Sequence, residues 1–223
     1  MVGLFVAMFL FITGGSQPNT VSYLQNVLNH FSGIKDYTVD VRVHFDVRDF
    51  QAPDMEATVY YKEPDKVRIK SKGLFILPRQ VGLFNPRQFN PNDYDVRLID
   101  TLTLNADPCV RVSLTPKNER RKDREIILTI DKKDWLVREI STPPSQGKNV
   151  TARITYGSFN GFELPSEMNV DIDVNKANVN IPEIGRDHKP MNSISGSVQI
   201  YYSNYEINTG LSDKIFENHG ADR

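Results

Sequence analysis

The sequence predicts a mainly β protein, built from one strongly curved antiparallel sheet that follows a single amphipathic helix. Residues 37–50 alternate apolar and polar side chains, as in a strand with one buried and one solvated face. Further runs of this kind bring the total to about ten, and short turns join many of them. Ten strands are too many for a small twisted sheet to stay flat. We therefore expect a half-open or closed barrel with a helix or loop on its concave side.

The elements follow one another in a simple order. A helix is predicted over 20–31, where apolar residues recur every three or four positions, with Asn19 or Thr20 as a candidate cap and Gly33 as its end. Strands are predicted at 37–50, 56–61, 66–72, 96–104, 110–114, 126–130, 135–140, 149–159, 162–174 and 197–207, and a short helix at 211–216. Turn residues such as Asn160 with Gly161 separate them. The polar loop 175–192 is long enough to be functional or disordered.

Composition excludes several classes of function. The chain has 223 residues, with 27 Lys and Arg against 28 Asp and Glu, and a formal net charge of -1. This length suits one ordinary globular domain. The charge balance gives no bulk attraction to nucleic acid, so we expect no nucleic-acid partner. Cys109 is the single cysteine, and it can form neither an internal disulfide nor a thiolate metal cluster.

The first residues resemble a secretory signal. Residues 2–12 are almost entirely apolar, and small or polar residues follow at 13–17. The run is shorter than the roughly 20 residues that a membrane-spanning helix needs. No Lys or Arg precedes it, so an uncleaved anchor is the alternative. We predict a signal peptide or anchor at 1–16, a single domain at 17–223, and a periplasmic or otherwise exported location.

The sequence contains no pair of residues with the pattern of a catalytic site. The four histidines lack metal-ligand spacing, and the alternation places His44 on the polar face of its strand. Asp171 and Asp173 alternate with apolar residues, which predicts that they are the solvated face of a strand. Cys109 has no His or second Cys nearby in sequence. We predict no enzyme activity, no metal site and no cofactor.

One apolar block does not fit a simple strand or turn. Residues 74–84 follow a strand and combine bulky apolar side chains with Pro78 and Gly82. These side chains must be buried, at roughly 1.5 to 3 kcal/mol each. The block either plugs the sheet as core or forms a movable lid over an apolar cavity. The candidate lid residues are Leu74, Phe75, Ile76, Leu77, Val81, Leu83 and Phe84.

Several short fragments occur in a characteristic order: a helix leads into the strand at 37–45, the run 60–64 reads YYKEP, and the run 114–117 reads LTPK. Together they resemble the LolA/LolB-like family of periplasmic lipoprotein-sorting proteins, which includes the outer-membrane lipoprotein carrier. The order of these fragments resembles a divergent member. Where the carrier has an Arg before the hairpin Pro that helps to latch its lid, this chain has Glu63, which cannot donate those hydrogen bonds.

The resemblance implies an incomplete barrel around an apolar cavity that holds acyl chains under a lid. It then implies a cavity wall of strand residues, and the candidates are Val39, Val41, Val43, Phe45, Val59, Val67 and Ile69. The expected partner is an acylated lipoprotein or lipid, bound by an exported monomer. The alternative is a structural or partner-binding envelope module, which resembles anti-sigma regulators, has a filled barrel and takes an envelope protein as its partner.

Overall fold

A computed structural model describes residues 20–48, 52–73, 85, 87–118, 124–143, 148–175 and 193–217. Its elements are α1 (Val21–His30), β1 (Asp36–Val47), β2 (Met55–Lys62), β3 (Lys66–Ser71), β4 (Tyr94–Leu104), β5 (Asp107–Pro116), β6 (Ile126–Asp131), β7 (Val137–Ser141), β8 (Lys148–Phe159), β9 (Phe162–Asn175), β10 (Ser193–Ile207) and α2 (Lys214–Glu217). Each predicted helix and strand is present. The predicted signal segment 1–16, the predicted lid 74–84 and residues 176–192 of the long loop lie outside the described residues.

The ten strands form one antiparallel sheet in the order β3-β2-β1-β10-β9-β8-β7-β6-β5-β4. Most neighbours are consecutive in sequence, as in the predicted meander, but β10 lies between β1 and β9. The last strand therefore joins the first hairpin to the rest of the sheet. Because β3 and β4 are the two outer strands, the sheet is open, and the half-open form of the predicted barrel is the correct one.

Register shifts bend this sheet at several strand pairs. They occur between Thr38 and Asp40 on β1, and also in the pairings of β4 with β5, β6 with β7 and β8 with β9. A β-bulge adds one residue to one strand, which increases the local twist and bends the strand. Opposite the first shift, Asn204 on β10 has a φ of 55°, and its side chain donates to Asp40 at 3.0 Å. These bulges therefore bend the sheet locally at four strand pairs.

The helix α1 covers one face of the sheet, called the inner face below. Leu24 and Val27 of α1 are 0% and 1% exposed, and they pack into the same core as the apolar rows of the strands. Further contacts help to hold the helix in place. The Thr20 hydroxyl donates to the Val96 carbonyl at 3.0 Å, and the rings of Tyr23 and Trp135 lie 6.4 Å apart. No helix in the described part of the chain has the length and apolarity to cross a membrane.

Two local predictions need correction. The helix ends at His30, and Gly33 does not end it with a left-handed backbone conformation. The role of Gly33 is instead to let the Phe162 ring approach, because a Cβ at this position would lie only 3.0 Å from Phe162 Cε1. The strand predicted from residue 135 begins at Val137. Trp135 has a φ of 59° and belongs to the preceding turn.

Candidate ligand-binding face

The candidate wall residues of β1 and β2 are part of the protein core. Val39, Val41, Val43 and Val59 all lie on the inner face and are at most 2% exposed, while Phe45 is half-buried against the same core. Their placement on one face follows from the strand alternation. The structure surrounds the four valines with the chain's own side chains.

The two candidate wall residues of β3 have a different environment. Val67 pairs with Tyr61, and Ile69 pairs with Val59, so both lie on the inner face. Each is nevertheless 37% exposed. The reason is that β3 is an outer strand, with a neighbour on one side only. Apolar surface is therefore accessible on the inner face at this edge of the sheet.

The opposite edge of the sheet also exposes apolar surface. Leu98 on β4 pairs with the buried Val112 on β5, and it is 38% exposed. In sequence, the predicted lid 74–84 lies between β3 and β4, and the structure describes the residues after it from Asn85 and Arg87 onward. Phe89 of this segment is 6% exposed and belongs to the core. The segment that follows the predicted lid thus packs into the inner face.

Glu63 fastens that segment to the β2–β3 turn. Its carboxylate accepts a hydrogen bond from Arg87 Nη2 at 2.7 Å, and Lys35 Nζ lies 3.0 Å away. The hydrogen bonds from Lys35 and Arg87 lower the pKa of Glu63, so the contact is charged at neutral pH. Glu63 cannot donate hydrogen bonds as an arginine would, but it joins this segment to the β2–β3 turn by accepting them. The sequence could not show this, because Arg87 lies 24 positions away in the chain.

A cluster of tyrosines, four of them buried and one partly buried, occupies the inner face next to these valines, and the sequence pattern did not reveal it. Its members, called the tyrosine cluster, are Tyr37, Tyr61, Tyr156, Tyr202 and Tyr205. The rings of Tyr37 and Tyr61 stack at 5.1 Å, and Tyr37 meets Tyr205 edge-on at 5.7 Å. Tyr202 and Tyr205 are three residues apart, so regular alternation would put them on opposite faces. The bulge at Asn204 brings both into the core.

The hydroxyl groups of the tyrosine cluster differ in their hydrogen bonding. Tyr156 donates to the Val137 carbonyl at 2.9 Å, Tyr205 donates to the Pro165 carbonyl at 2.9 Å, and Tyr61 donates to the Pro64 carbonyl at 3.4 Å. The Tyr202 hydroxyl is buried, and no described residue is its hydrogen-bond partner. Burial raises the pKa of each of these four groups, to about 12 for Tyr61. All of them are therefore neutral donors at physiological pH.

A buried ion pair positions the turn that meets α1. Asp131 is 0% exposed, and it accepts from Arg138 Nη2 at 2.7 Å and from the backbone N–H of Lys133 at 2.8 Å. Burial alone would raise the pKa of Asp131, but these hydrogen bonds outweigh it and the pKa is lowered. The charged Asp131 therefore holds the turn in which Trp135 faces Tyr23 of α1.

The titratable groups outside the core form simple surface pairs. His44 lies on the solvated face with its Nδ1 2.7 Å from Asp54, and Asp171 pairs with Arg153 at 2.5 Å. Burial raises the pKa of the Cys109 thiol, which disfavours the reactive thiolate. Within the described ranges, no group of three or more His, Cys, Asp and Glu residues could hold a metal ion. Apolar surface and buried hydroxyls are thus the main chemistry that the inner face offers.

Comparison with solved structures identifies the fold. A DUF1329 family protein from Desulfovibrio piger matches with a TM-score of 0.65 and 12% identity, over 92% of this chain and 99% of that one. The LolA superfamily protein NE2245 from Nitrosomonas europaea matches with a TM-score of 0.57 and 13% identity, over 89% and 97%. The chain has a LolA-like fold.

A third LolA-like structure agrees. An outer-membrane lipoprotein-sorting protein domain from Vibrio parahaemolyticus matches with a TM-score of 0.59 and 10% identity, over 89% of this chain and 96% of that one. No family model matches the sequence, and no curated protein matches it. The resemblance in the order of short motifs is therefore confirmed for the fold. A solved lipoprotein-sorting domain has the same kind of fold.

Proposed function

We propose that this protein is an exported, non-catalytic carrier that binds the acyl chains of lipoproteins or lipids on the inner face of its open sheet. The observation that carries the proposal is the accessible apolar surface of Val67 and Ile69 on a face that is otherwise core. Burying acyl methylenes there contributes roughly 0.8 kcal/mol each, so binding needs no catalytic group. The LolA-like fold supports this choice of ligand class.

The test is a titration of the full-length chain with a fluorescent fatty-acyl probe. Ile69→Asp places a carboxylate in the proposed site, and Lys70→Asp is the control, because Lys70 pairs with Thr58 on the outer face of the same strand. We expect saturable binding by the wild type and by Lys70→Asp, and at least tenfold weaker binding by Ile69→Asp. Circular dichroism checks that both variants fold. Absence of binding by the folded wild type would refute the carrier proposal.

The lid is the second part of the proposal. Glu63, Arg87 and Lys35 tie the segment after residues 74–84 to the β2–β3 turn, and in this proposal the contact anchors one end of the lid beside the site. We expect Arg87→Ala to release the bound probe faster than the wild type in stopped-flow displacement. In this proposal, Phe75 and Phe84 contact the ligand, and Phe75→Asp or Phe84→Asp weakens binding. An unchanged release rate in Arg87→Ala would contradict a closing role for this contact.

The alternative is an envelope module whose inner face is filled by its own side chains and whose partner is an envelope protein. It is favoured by the burial of Val39, Val41, Val43 and Val59. The probe titration separates the two functions, because a filled module binds no acyl probe.

Export is the third part of the proposal, with residues 1–16 as a signal peptide or anchor. The amino-terminal sequence and mass of the chain, isolated from its own cell envelope, test this directly. A mature chain that starts near residue 17 supports cleavage, and an intact chain in the membrane fraction supports an anchor. Recovery of the intact chain only from the cytoplasm would refute export.

A further inference from the structure

We infer that the Tyr202 hydroxyl recognises the polar end of the ligand, by donating a hydrogen bond to the neutral carbonyl oxygen of an ester-linked acyl chain. This inference rests on the proposed carrier function and specifies its ligand class. The ligand is an acyl ester, rather than a free fatty carboxylate or a plain hydrocarbon.

The starting observation is a donor without an acceptor inside the core. Tyr202 is 5% exposed, its hydroxyl is buried, and none of the described residues accepts its hydrogen bond. Tyr156 and Tyr205, in the same cluster, each donate to a backbone carbonyl at 2.9 Å. Buried polar groups in native proteins are nearly always hydrogen-bonded, because leaving one unpaired costs free energy. The hydroxyl of Tyr202 is therefore matched to an acceptor that the ligand supplies.

The strand register connects Tyr202 to the exposed apolar edge. Tyr202 on β10 lies beside Val41 on β1, Val41 beside Ala57 on β2, and Ala57 beside Ser71 on β3. Side chains become smaller along this row, from tyrosine through valine to alanine and serine. The side chains of this row therefore protrude least near the edge where Ile69 is exposed. Three strand spacings, roughly 14 Å, separate the hydroxyl from that edge. An acyl chain that lies along this row, with its carbonyl end at Tyr202, must displace the side chains that cover Val41 and Ala57, which are 2% and 7% exposed.

The surroundings of Tyr202 favour a neutral acceptor over an anion. Its neighbours in the core are Val41 and the phenol groups of Tyr37, Tyr156 and Tyr205. Burial is the cause of its raised pKa, and no charged group contributes, so the phenol remains a neutral donor. An ionised carboxylate buried beside it without a cation would carry a large desolvation cost. A carbonyl oxygen carries no such cost, because a single donated hydrogen bond satisfies it.

The experiment compares a matched pair of ligands. Monooleoylglycerol carries an ester carbonyl, and 1-O-oleylglycerol is the ether that lacks it. We expect the full-length wild type to bind the ester about 2- to 10-fold more tightly than the ether, the range of one net hydrogen bond. Tyr202→Phe should bind both ligands with the affinity that the wild type has for the ether. The control Tyr205→Phe should keep the preference, because its hydroxyl already donates to Pro165.

The outcomes separate the two levels of the proposal. Two results would refute the role of Tyr202 while the carrier function stands, provided that both ligands bind. In the first, Tyr202→Phe still prefers the ester; in the second, the wild type itself shows no preference for the ester. If neither ligand binds to the folded wild type, the carrier function fails and the role of Tyr202 fails with it. Oleate gives a further check, because its binding should tighten as the pH falls and the carboxylate becomes neutral. Oleate that binds at neutral pH as tightly as the ester would refute the preference for a neutral carbonyl.

Discussion

Replacing two buried tyrosines by phenylalanine should change stability in opposite directions. Tyr202→Phe removes a buried hydroxyl that has no partner among the described residues, whereas Tyr205→Phe removes a hydroxyl that donates at 2.9 Å to the Pro165 carbonyl. An unpaired buried donor costs about 1–3 kcal/mol, and a typical buried hydrogen bond stabilises by about 1 kcal/mol net. The free energy of unfolding should therefore rise by at least about 1 kcal/mol in Tyr202→Phe and fall by about 1 kcal/mol in Tyr205→Phe.

The assay is equilibrium unfolding in urea of the ligand-free chain. The two substitutions delete the same atom from the same residue type, so their effects on the unfolded chain cancel in the comparison. With a urea slope of about 2 kcal/mol per molar, the unfolding midpoints of the two variants should differ by roughly 1 M. Equal destabilisation in both variants would refute the reasoning, because it would mean that the Tyr202 hydroxyl is already satisfied in the ligand-free protein.

Three further predictions concern the sheet, the turn contact and the buried ion pair. Gly196→Ala should lower the free energy of unfolding by about 1–3 kcal/mol, seen as a lower thermal midpoint, because the added Cβ would overlap the β1 backbone. Gly73→Ala is the control: a Cβ there meets nothing within 4 Å, so the midpoint should change little. Equal effects of the two substitutions would contradict this explanation. The lowered pKa of Glu63 means that its stabilisation is present above its unfolded-state value of 4.5 and is lost as the pH falls through the folded-state pKa. Glu63→Gln should therefore be slightly less stable than the wild type at pH 7, and in urea melts this difference should shrink steadily as the pH is lowered below 4.5. Asp131→Asn should lower the free energy of unfolding by about 2–4 kcal/mol, because it leaves the half-buried Arg138 without its carboxylate partner. Unfolding followed by tryptophan fluorescence measures this change. A loss below about 1 kcal/mol would refute the importance of the pair.

Much of the secondary structure could be read from the sequence because it depends on neighbouring residues. Alternation over 37–50 predicted β1 and its buried face, and the three-and-four spacing over 20–31 predicted α1. Local pattern failed where backbone conformation overrides alternation. Trp135 lies in a turn with a φ of 59°, and Asn204 lies at a bulge. The start of β7 and the face on which Tyr205 lies could therefore not be predicted from the sequence.

The candidate site was predictable in part. Alternation showed that Val59 and Ile69 share a face, and the structure agrees. It could not show that Val59 is 1% exposed while Ile69 is 37% exposed, because that difference depends on which strand is at the edge of the sheet. The acceptor role of Glu63 depends in the same way on Arg87, a residue that only folding brings near.

The sequence by itself determined the mainly β class, the order of the strands along the chain, and the side chains that turn inward. These follow from the two-residue repeat of a strand and the propensities of turn residues, which act over a few positions. Only the tertiary structure decided that β10 pairs with β1 and that the sheet stays open. It also decided that one phenol in the tyrosine cluster has no described partner. Such features arise from contacts between residues more than a hundred positions apart, and local periodicity carries no record of those contacts.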